Sequence, residues 1–259
     1  MDPKINDEYI IKISKDEQIA INEKRILEQI NHPNIISQRT SIRNAPILHE
    51  NQIILEYARK GTLFDLVQKF KKFPIEVVRS LGLITLDALN YLHSVKVYHL
   101  DLKLENIFVF DNFNLKLGDF GLSQISETGI FETYNTADHY TPPEVLKRQQ
   151  YLGKSADLFS LGVMIWILFI GKPPFFKGAR RDDENYHKYQ KDPDAFFDME
   201  ERRSQMEIPN DFRVLIKSLF KENSAERPTI DELINDFDFF KLTQKSLQCF
   251  SSEVAGSSP

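Results

Sequence analysis

The chain has 259 residues, of which 41% are hydrophobic and 27% charged, enough to bury one large core or two small lobes. Its net charge of −5 argues against a general nucleic-acid binder, which needs clustered Lys and Arg for phosphate contacts. The single cysteine, Cys249, rules out an intramolecular disulfide and any multi-cysteine metal site, and it fits a reducing compartment, expected to be the cytoplasm.

Residues 1–9 carry no apolar stretch of the kind that marks a signal peptide. The longest apolar run, Leu161 to Ile170 broken only by Gly162, is about half the ~20 residues that span a bilayer. It reads as a buried helix, and no membrane association is expected. Residues 9–13 read as a strand and residues 17–30 as a helix whose Ile19, Ile26, Leu27 and Ile30 share one face. Glu23 falls on that face, and a carboxylate inside an apolar stripe is costly unless it is paired. Two readings stand: Glu23 lies at the stripe's edge in water, or it pairs with Lys12 on the neighbouring strand.

Residues 53–57 read as a buried strand and Ala58 to Gly61 as a connector. A boundary there gives a small lobe over 1–60, a larger lobe over 61–240 and a tail over 241–259 that lacks apolar pattern and reads as disordered. Pro74 suits the first turn of a helix, which Ile75, Val78, Gly82, Leu86, Leu89 and His93 continue. Residues 155–170 form a helix apolar nearly all round, hence central, and Gly171-Lys172-Pro173-Pro174 stops it. The charge run Lys177 to Glu184 reads as a solvated loop, and further helices fit 211–220 and 229–239. His32, His49, His93, His139 and His187 show no metal-ligand spacing.

The most informative stretch is 99–121, HLDLKLENIFVFDNFNLKLGDFG. Ile107 to Phe110 and Leu115 to Leu117 read as two strand arms around a turn at Asp111–Asn114. Asn106 precedes the first arm and Asp119 follows the second, so the two polar residues meet at the hairpin's open end. Asp101 and Lys103 enter the same corner from the preceding loop. Two carboxylates, an amide oxygen and an ammonium then converge. Carboxylate and carbonyl oxygens suit Mg²⁺, and a lysine supplies countercharge for a phosphoryl group in transfer.

The same stretch resembles the catalytic loop of the protein kinases, H-R-D-L-x-x-x-N followed by D-F-G. Here it reads His99-Leu100-Asp101-Leu102-Lys103-Leu104-Glu105-Asn106, then Asp119-Phe120-Gly121. Tyr9-Ile10-Ile11-Lys12 looks like the V-A-I-K strand. Asn22-Glu23-Lys24-Arg25-Ile26-Leu27 looks like the helix of the paired glutamate and is similar to the cyclic-AMP-dependent kinases there. Pro142-Pro143-Glu144 stands at A-P-E, with Asp157 and Arg227 at two further family positions. The string GKPPFF resembles the calmodulin-dependent group. The likeness covers roughly residues 8–240, and ordered motifs together are far more specific than a lone D-F-G.

The resemblance implies an α+β, bilobal kinase fold, with a shortened β-rich N-terminal lobe and a larger helical C-terminal lobe. It implies a serine/threonine protein kinase using ATP and Mg²⁺ on a protein substrate, with Lys103, two after the aspartate, favouring Ser/Thr over Tyr. Asp101 would orient the substrate hydroxyl and accept its proton, Lys103 would hold the γ-phosphate, and Asn106 and Asp119 would ligate Mg²⁺. Lys12, fixed by Glu23, would hold the α- and β-phosphates. Glu56 to Ala58 would be the hinge facing adenine, with Leu55 behind it, and Phe108 belongs to the same nucleotide-binding set. Glu144 and Arg227 would form a buried ion pair, and His99 would be a core residue under Phe120. Metabolic kinases of similar fold fit less well, because Asp157, Glu144 and Arg227 point to the protein-kinase branch.

Departures from the pattern are as informative. No Gly-rich loop precedes Lys12 in this sequence, and residues 1–60 contain no glycine. Two explanations stand: a shortened kinase, or a kinase-like interaction scaffold without catalysis. Leu100 replaces the arginine that in the family pairs with a phosphorylated activation-loop residue, which implies that activity does not depend on that phosphate. Ile10 stands where a smaller alanine usually touches adenine. Thr136-Ala137 aligns with the family's Gly-Thr, placing alanine where a threonine would meet Asp101 unless the alignment slips by one. Ser123, Ser126, Thr128, Thr133 and Tyr134 are loop hydroxyls open to phosphorylation. Residues 241–249 are too weakly amphipathic for a calmodulin-binding helix.

Overall fold

The computed structural model describes residues 8–39, 51–132 and 138–241. Thr133, Tyr134, Thr136-Ala137, His49 and the tail beyond 241 lie outside the described residues. The isoleucine-rich strand β1 (Tyr9–Ile13) leads into helix α1 (Glu17–Leu27), whose N-cap Asp16 accepts the Gln18 N–H. Helix α1 ends three residues before the expected boundary. The Gln29 N–H bonds the Ile26 carbonyl at 2.9 Å, an i→i−3 bond that tightens and closes the last turn. Strand β2 (Gln52–Glu56) pairs antiparallel with β1 from Tyr9↔Glu56 to Ile13↔Gln52.

Helix α2 (Leu63–Phe70) follows the connector. It starts with a capping box in which Thr62 and Asp65 satisfy each other's backbone N–H groups. Helix α3 (Ile75–Ser94) begins one residue after Pro74, which occupies the cap itself. Short strands come next: β3 (Val97–Tyr98), β4 (Ile107–Val109), β5 (Leu115–Leu117), β6 (Gln124–Ile125) and β7 (Ile130–Phe131). β4 and β5 form the expected hairpin in register Ile107↔Leu117. β3 pairs with β6.

One turn of helix, α4 (Pro143–Leu146), precedes β8 (Tyr151–Leu152), which pairs with β7. Helix α5 (Gly153–Ile170) is buried along its length apart from Lys154. By length and composition α5 could cross a membrane, yet 94% of it is buried within the protein, where it is the central core helix. Against it pack α3, α7 (Pro193–Ser204) and α8 (Asn210–Leu219), and α6 (Glu184–Lys191) packs on α7. Trp166 of α5 meets the rings of Phe196, Phe197 and Phe212 at 5.6, 5.7 and 6.1 Å.

Two expectations for this region change. The run 177–184 is not wholly solvated: Asp183 is buried, accepting the Lys177 and Tyr186 N–H groups at 2.7 and 2.8 Å and capping α6. The single helix expected over 229–239 is two, α9 (Ile230–Asp236) and α10 (Asp238–Lys241), broken where Phe237 turns extended. Phe239 and Phe240 are both buried beyond the break.

Gly171 ends α5 in a left-handed conformation, φ +87°, and a Cβ there would lie 2.7 Å from the Lys71 carbonyl oxygen. Gly171→Ala should therefore lower unfolding stability by at least about 1–2 kcal/mol, read as an earlier denaturant midpoint at unchanged slope.

Candidate active site

The site is built where β1, α1 and the β4–β5 hairpin come together. Lys12 projects from β1 and its Nζ stands 2.7 Å from Glu23 Oε2 and 2.7 Å from Asp119 Oδ1. Glu23 is fully buried, so the paired reading holds and the solvated-edge reading falls. Glu23 Oε1 also accepts the Phe120 N–H at 3.3 Å. Burial works against the Lys12 charge, but Glu23 and Asp119 outweigh it and raise Lys12 above its ordinary value. Burial likewise works against the Asp119 anion, and Lys12 outweighs it, holding that carboxyl below the usual range. Glu23 is pushed up by burial, with Lys12 opposing. Lys12 therefore stays cationic and Asp119 anionic at neutral pH.

Asn22, beside Glu23, carries no assigned role in the sequence reading. Its Nδ2 donates to the carbonyls of Gly121 and Ser123 at 3.1 and 2.8 Å, tying α1 to the segment after Asp119. Nothing in the sequence marks it except its place next to Glu23.

The second cluster lies on the loop between β3 and β4. Lys103 Nζ is 2.8 and 3.0 Å from the two oxygens of Asp101. Asn106 Nδ2 donates to the Asp101 carbonyl at 2.8 Å and to its Oδ2 at 3.1 Å. Burial opposes the Lys103 charge, but Asp101 raises it above its ordinary value. The hairpin joins the clusters, because the Gly118 N–H bonds the Asn106 carbonyl at 2.9 Å and Asp119 is the next residue. Leu100 and Asp119 hold φ near +60° without being glycine, a strain that persists only where surrounding bonds fix it.

At Leu100 those bonds come from Asp157, near the start of α5. It accepts the His99 N–H at 3.0 Å and the Leu100 N–H at 2.8 Å, and it faces His93 Nε2 at 2.8 Å. His99 is buried, edge-on to Phe120 at 5.3 Å and bonded to the Gly118 carbonyl at 3.0 Å. It is a core support and not a base.

Glu56 is the last residue of β2, and Ala58 lies in the link from β2 to α2. The Glu56 carboxylate is taken by Lys116 at 2.8 Å and by the Ser37 N–H at 2.7 Å, so what the link offers a ligand is backbone. The Ala58 carbonyl closes a turn with the Gly61 N–H at 3.1 Å. Phe108, half-buried on β4, lies against Gly118, where a Cβ would meet its ring at 2.8 Å. Ile10 pairs across with Leu55 and packs on the core. Glu144 and Arg227 form the buried bidentate pair at 2.6 and 2.8 Å.

A divalent cation fits the corner by donor chemistry. The Asn106 amide nitrogen faces Asp101, which turns its oxygen the other way, and Lys12 engages only Oδ1 of Asp119. Among the described residues no group of three or more His, Cys, Asp and Glu could hold a metal by itself. One carboxylate and one amide oxygen, completed by phosphate oxygens, is the donor set Mg²⁺ takes with a nucleotide. Asp119 and Asn106 would hold that ion.

A small β layer beside a helical body, with an ammonium–carboxylate cluster from each at one corner, defines the bilobal protein-kinase fold class. The sequence profile described as the protein kinase domain matches residues 4–239, and the chain belongs to that family. It is 30% identical to "Probable serine/threonine-protein kinase fhkC" of Dictyostelium discoideum, over 98% of this chain and 43% of that protein. It is 32% identical to "Cell cycle serine/threonine-protein kinase CDC5/MSD2" of Saccharomyces cerevisiae, over 90% of this chain and 32% of that protein. "NUAK family SNF1-like kinase 1" of Homo sapiens is also 32% identical, over 85% and 32%. The chain thus spans less than half the length of these relatives.

Proposed function

We propose that the protein is a serine/threonine protein kinase that transfers the γ-phosphate of Mg²⁺-bound ATP to a protein hydroxyl in the cytoplasm. The observation that carries this reading is the convergence of Asp101, Lys103 and Asn106 with the Lys12–Glu23–Asp119 cluster at one end of the hairpin. Asp101 orients the substrate hydroxyl and receives its proton as the oxygen bonds the γ-phosphorus. The bond from that phosphorus to the β-phosphate oxygen breaks, and ADP leaves. Lys103 neutralises the phosphoryl oxygens in transfer, and Lys12, steadied by Glu23, holds the phosphates nearer the nucleoside. Asp119 and Asn106 would hold Mg²⁺, which would supply positive charge against the phosphates of the nucleotide. Two lysines that stay cationic at neutral pH suit them to these tasks.

Thermal unfolding with and without millimolar Mg²⁺-ATP tests the reading. At ~100 times its dissociation constant a ligand adds roughly 2.7 kcal/mol, worth a midpoint rise of about 5–10 °C for a chain of this size. The rise should require Mg²⁺ and be lost in Asp119→Asn. A well-folded protein with no metal-dependent rise would favour the scaffold reading instead.

A further inference from the structure

A cavity of about 600 Å³ lies away from the phosphate-transfer corner, and none of Lys12, Glu23, Asp101, Lys103, Asn106 and Asp119 lines it. The end of α3, the turn before β7 and the first turns of α5 and α9 surround it. Its size is that of a pocket for a small organic ligand. Leu158 and Ile230 give it apolar walls. Its floor is polar: His93, Tyr98 and Ser155 line it, and each is at least nine-tenths buried.

His93 turns Nε2 to Asp157 at 2.8 Å, which in the neutral ring leaves Nδ1 as an acceptor. Among the described residues nothing hydrogen-bonds that Nδ1, the Tyr98 hydroxyl or the Ser155 hydroxyl. None of the three atoms is sealed inside the protein, so they open onto the cavity that their residues line. A Cβ on Gly129 would lie 2.6 Å from the Tyr98 oxygen, so the glycine keeps the space in front of it clear. Burial first, then the Asp157 and Glu127 carboxylates, raise the Tyr98 hydroxyl above its ordinary value. The field at the floor is therefore negative. An ammonium group suits such a floor, because it has three N–H donors and each of the three floor atoms can accept one.

The rim carries both signs of charge. Lys96 and Lys154 line the cavity, as do Glu127 and Asp231, and no ion pair among the described residues takes any of the four. A ligand of one sign would be repelled by two of them, whereas a ligand carrying both signs meets a partner for each. We propose that the cavity binds an amino-acid-like zwitterion. Its ammonium group is seated on His93, Tyr98 and Ser155, and its carboxylate, across a short apolar body, is turned to Lys96 and Lys154. The site does not depend on the kinase reading, since it shares no residue with the phosphate-transfer corner.

The probe is 6-aminohexanoate, titrated into the isotope-labelled full chain and followed by the backbone amide signals. Those of Gly129, Ser155 and Ile230 should shift and saturate with a dissociation constant of about 1 mM or below. Hexanoate, which lacks the ammonium group, and hexylammonium, which lacks the carboxylate, should each bind at least about tenfold more weakly. Tyr98→Phe removes only a hydroxyl that bonds nothing in the free protein. It should leave the unfolding midpoint unchanged and weaken 6-aminohexanoate about tenfold. Ser155→Ala keeps the carbonyl that Arg227 uses and should weaken it too, which covers the case in which Tyr98→Phe does not fold. The double variant Lys96→Gln/Lys154→Gln should bind 6-aminohexanoate no better than hexylammonium. No saturable shift up to ~20 mM, or shifts confined to amides outside the cavity, overturns the proposal. So does equal affinity of the wild type for either single-charge analogue, unchanged affinity in either hydroxyl variant that folds, or a lysine double variant that still prefers 6-aminohexanoate.

Discussion

Asp101→Ala is expected to reduce phosphate transfer by roughly 10²–10⁴-fold, the range associated with losing a positioned general base, while the unfolding midpoint hardly moves. The geometry explains the separation. The Asp101 carboxylate touches Lys103 and the Asn106 amide, and both partners have other recourse. Lys103 is partly exposed and can turn to water, and Asn106 keeps its bond to the Asp101 backbone carbonyl. The strained turn at Leu100 is held by Asp157 and not by the Asp101 side chain. Transfer is read with labelled ATP and a generic protein substrate, and folding by circular dichroism. A variant that keeps wild-type transfer would remove Asp101 from the chemistry. Asp101→Asn keeps the shape and one acceptor oxygen of the side chain but cannot take a proton, so it should be equally inactive.

Much of this site is legible in the chain order of residues, for definite reasons. The hairpin over 107–117 follows from two short apolar arms around a polar turn, and it carries Asn106 and Asp119 to one end whatever the rest of the fold does. The Lys12–Glu23 pair is only half legible. Helical period puts Glu23 on the apolar face, but whether that face meets water or Lys12 is a tertiary fact, decided by how α1 lies against β1. Asn22 and the loop-holding role of Asp157 are not legible, since each acts through backbone groups brought close only by folding.

The helices tell a similar story. Thr62-x-x-Asp65 announces α2 by its capping box, and Asp183 and Asp192 with Pro193 announce α6 and α7; α2 is apolar enough but only eight residues long, and α6 and α7 are too polar for periodicity to reveal them. The pairings β3–β6 and β7–β8 join two-residue strands far apart in sequence. Strands that short have no pattern of their own, so the cavity at Tyr98 emerges only from the structure.

The largest expected loss of stability comes from the Glu144–Arg227 pair. Arg227 is almost wholly buried and its guanidinium is fully used: Nη1 and Nη2 grip the two Glu144 oxygens, Nη1 also reaches the Ser155 carbonyl at 2.9 Å, and Nη2 and Nε reach the Lys221 carbonyl at 2.9 and 3.0 Å. Its plane also lies 5.0 Å from the Phe159 ring centroid. Arg227→Met would keep much of the volume but strand a buried carboxylate and two carbonyls. Breaking a buried pair from one side costs about 3–5 kcal/mol, which for a chain of this length lowers the midpoint by roughly 10 °C. The double variant Glu144→Leu/Arg227→Met removes the stranded charge, and it should be more stable than Arg227→Met alone. If the single variant unfolds at the wild-type temperature, the pair is not what ties α4 to the start of α5. If the double variant is no better than the single one, the cost lies in the Ser155 and Lys221 carbonyls that Arg227 also satisfies, and the arginine matters as a backbone clamp more than as a countercharge.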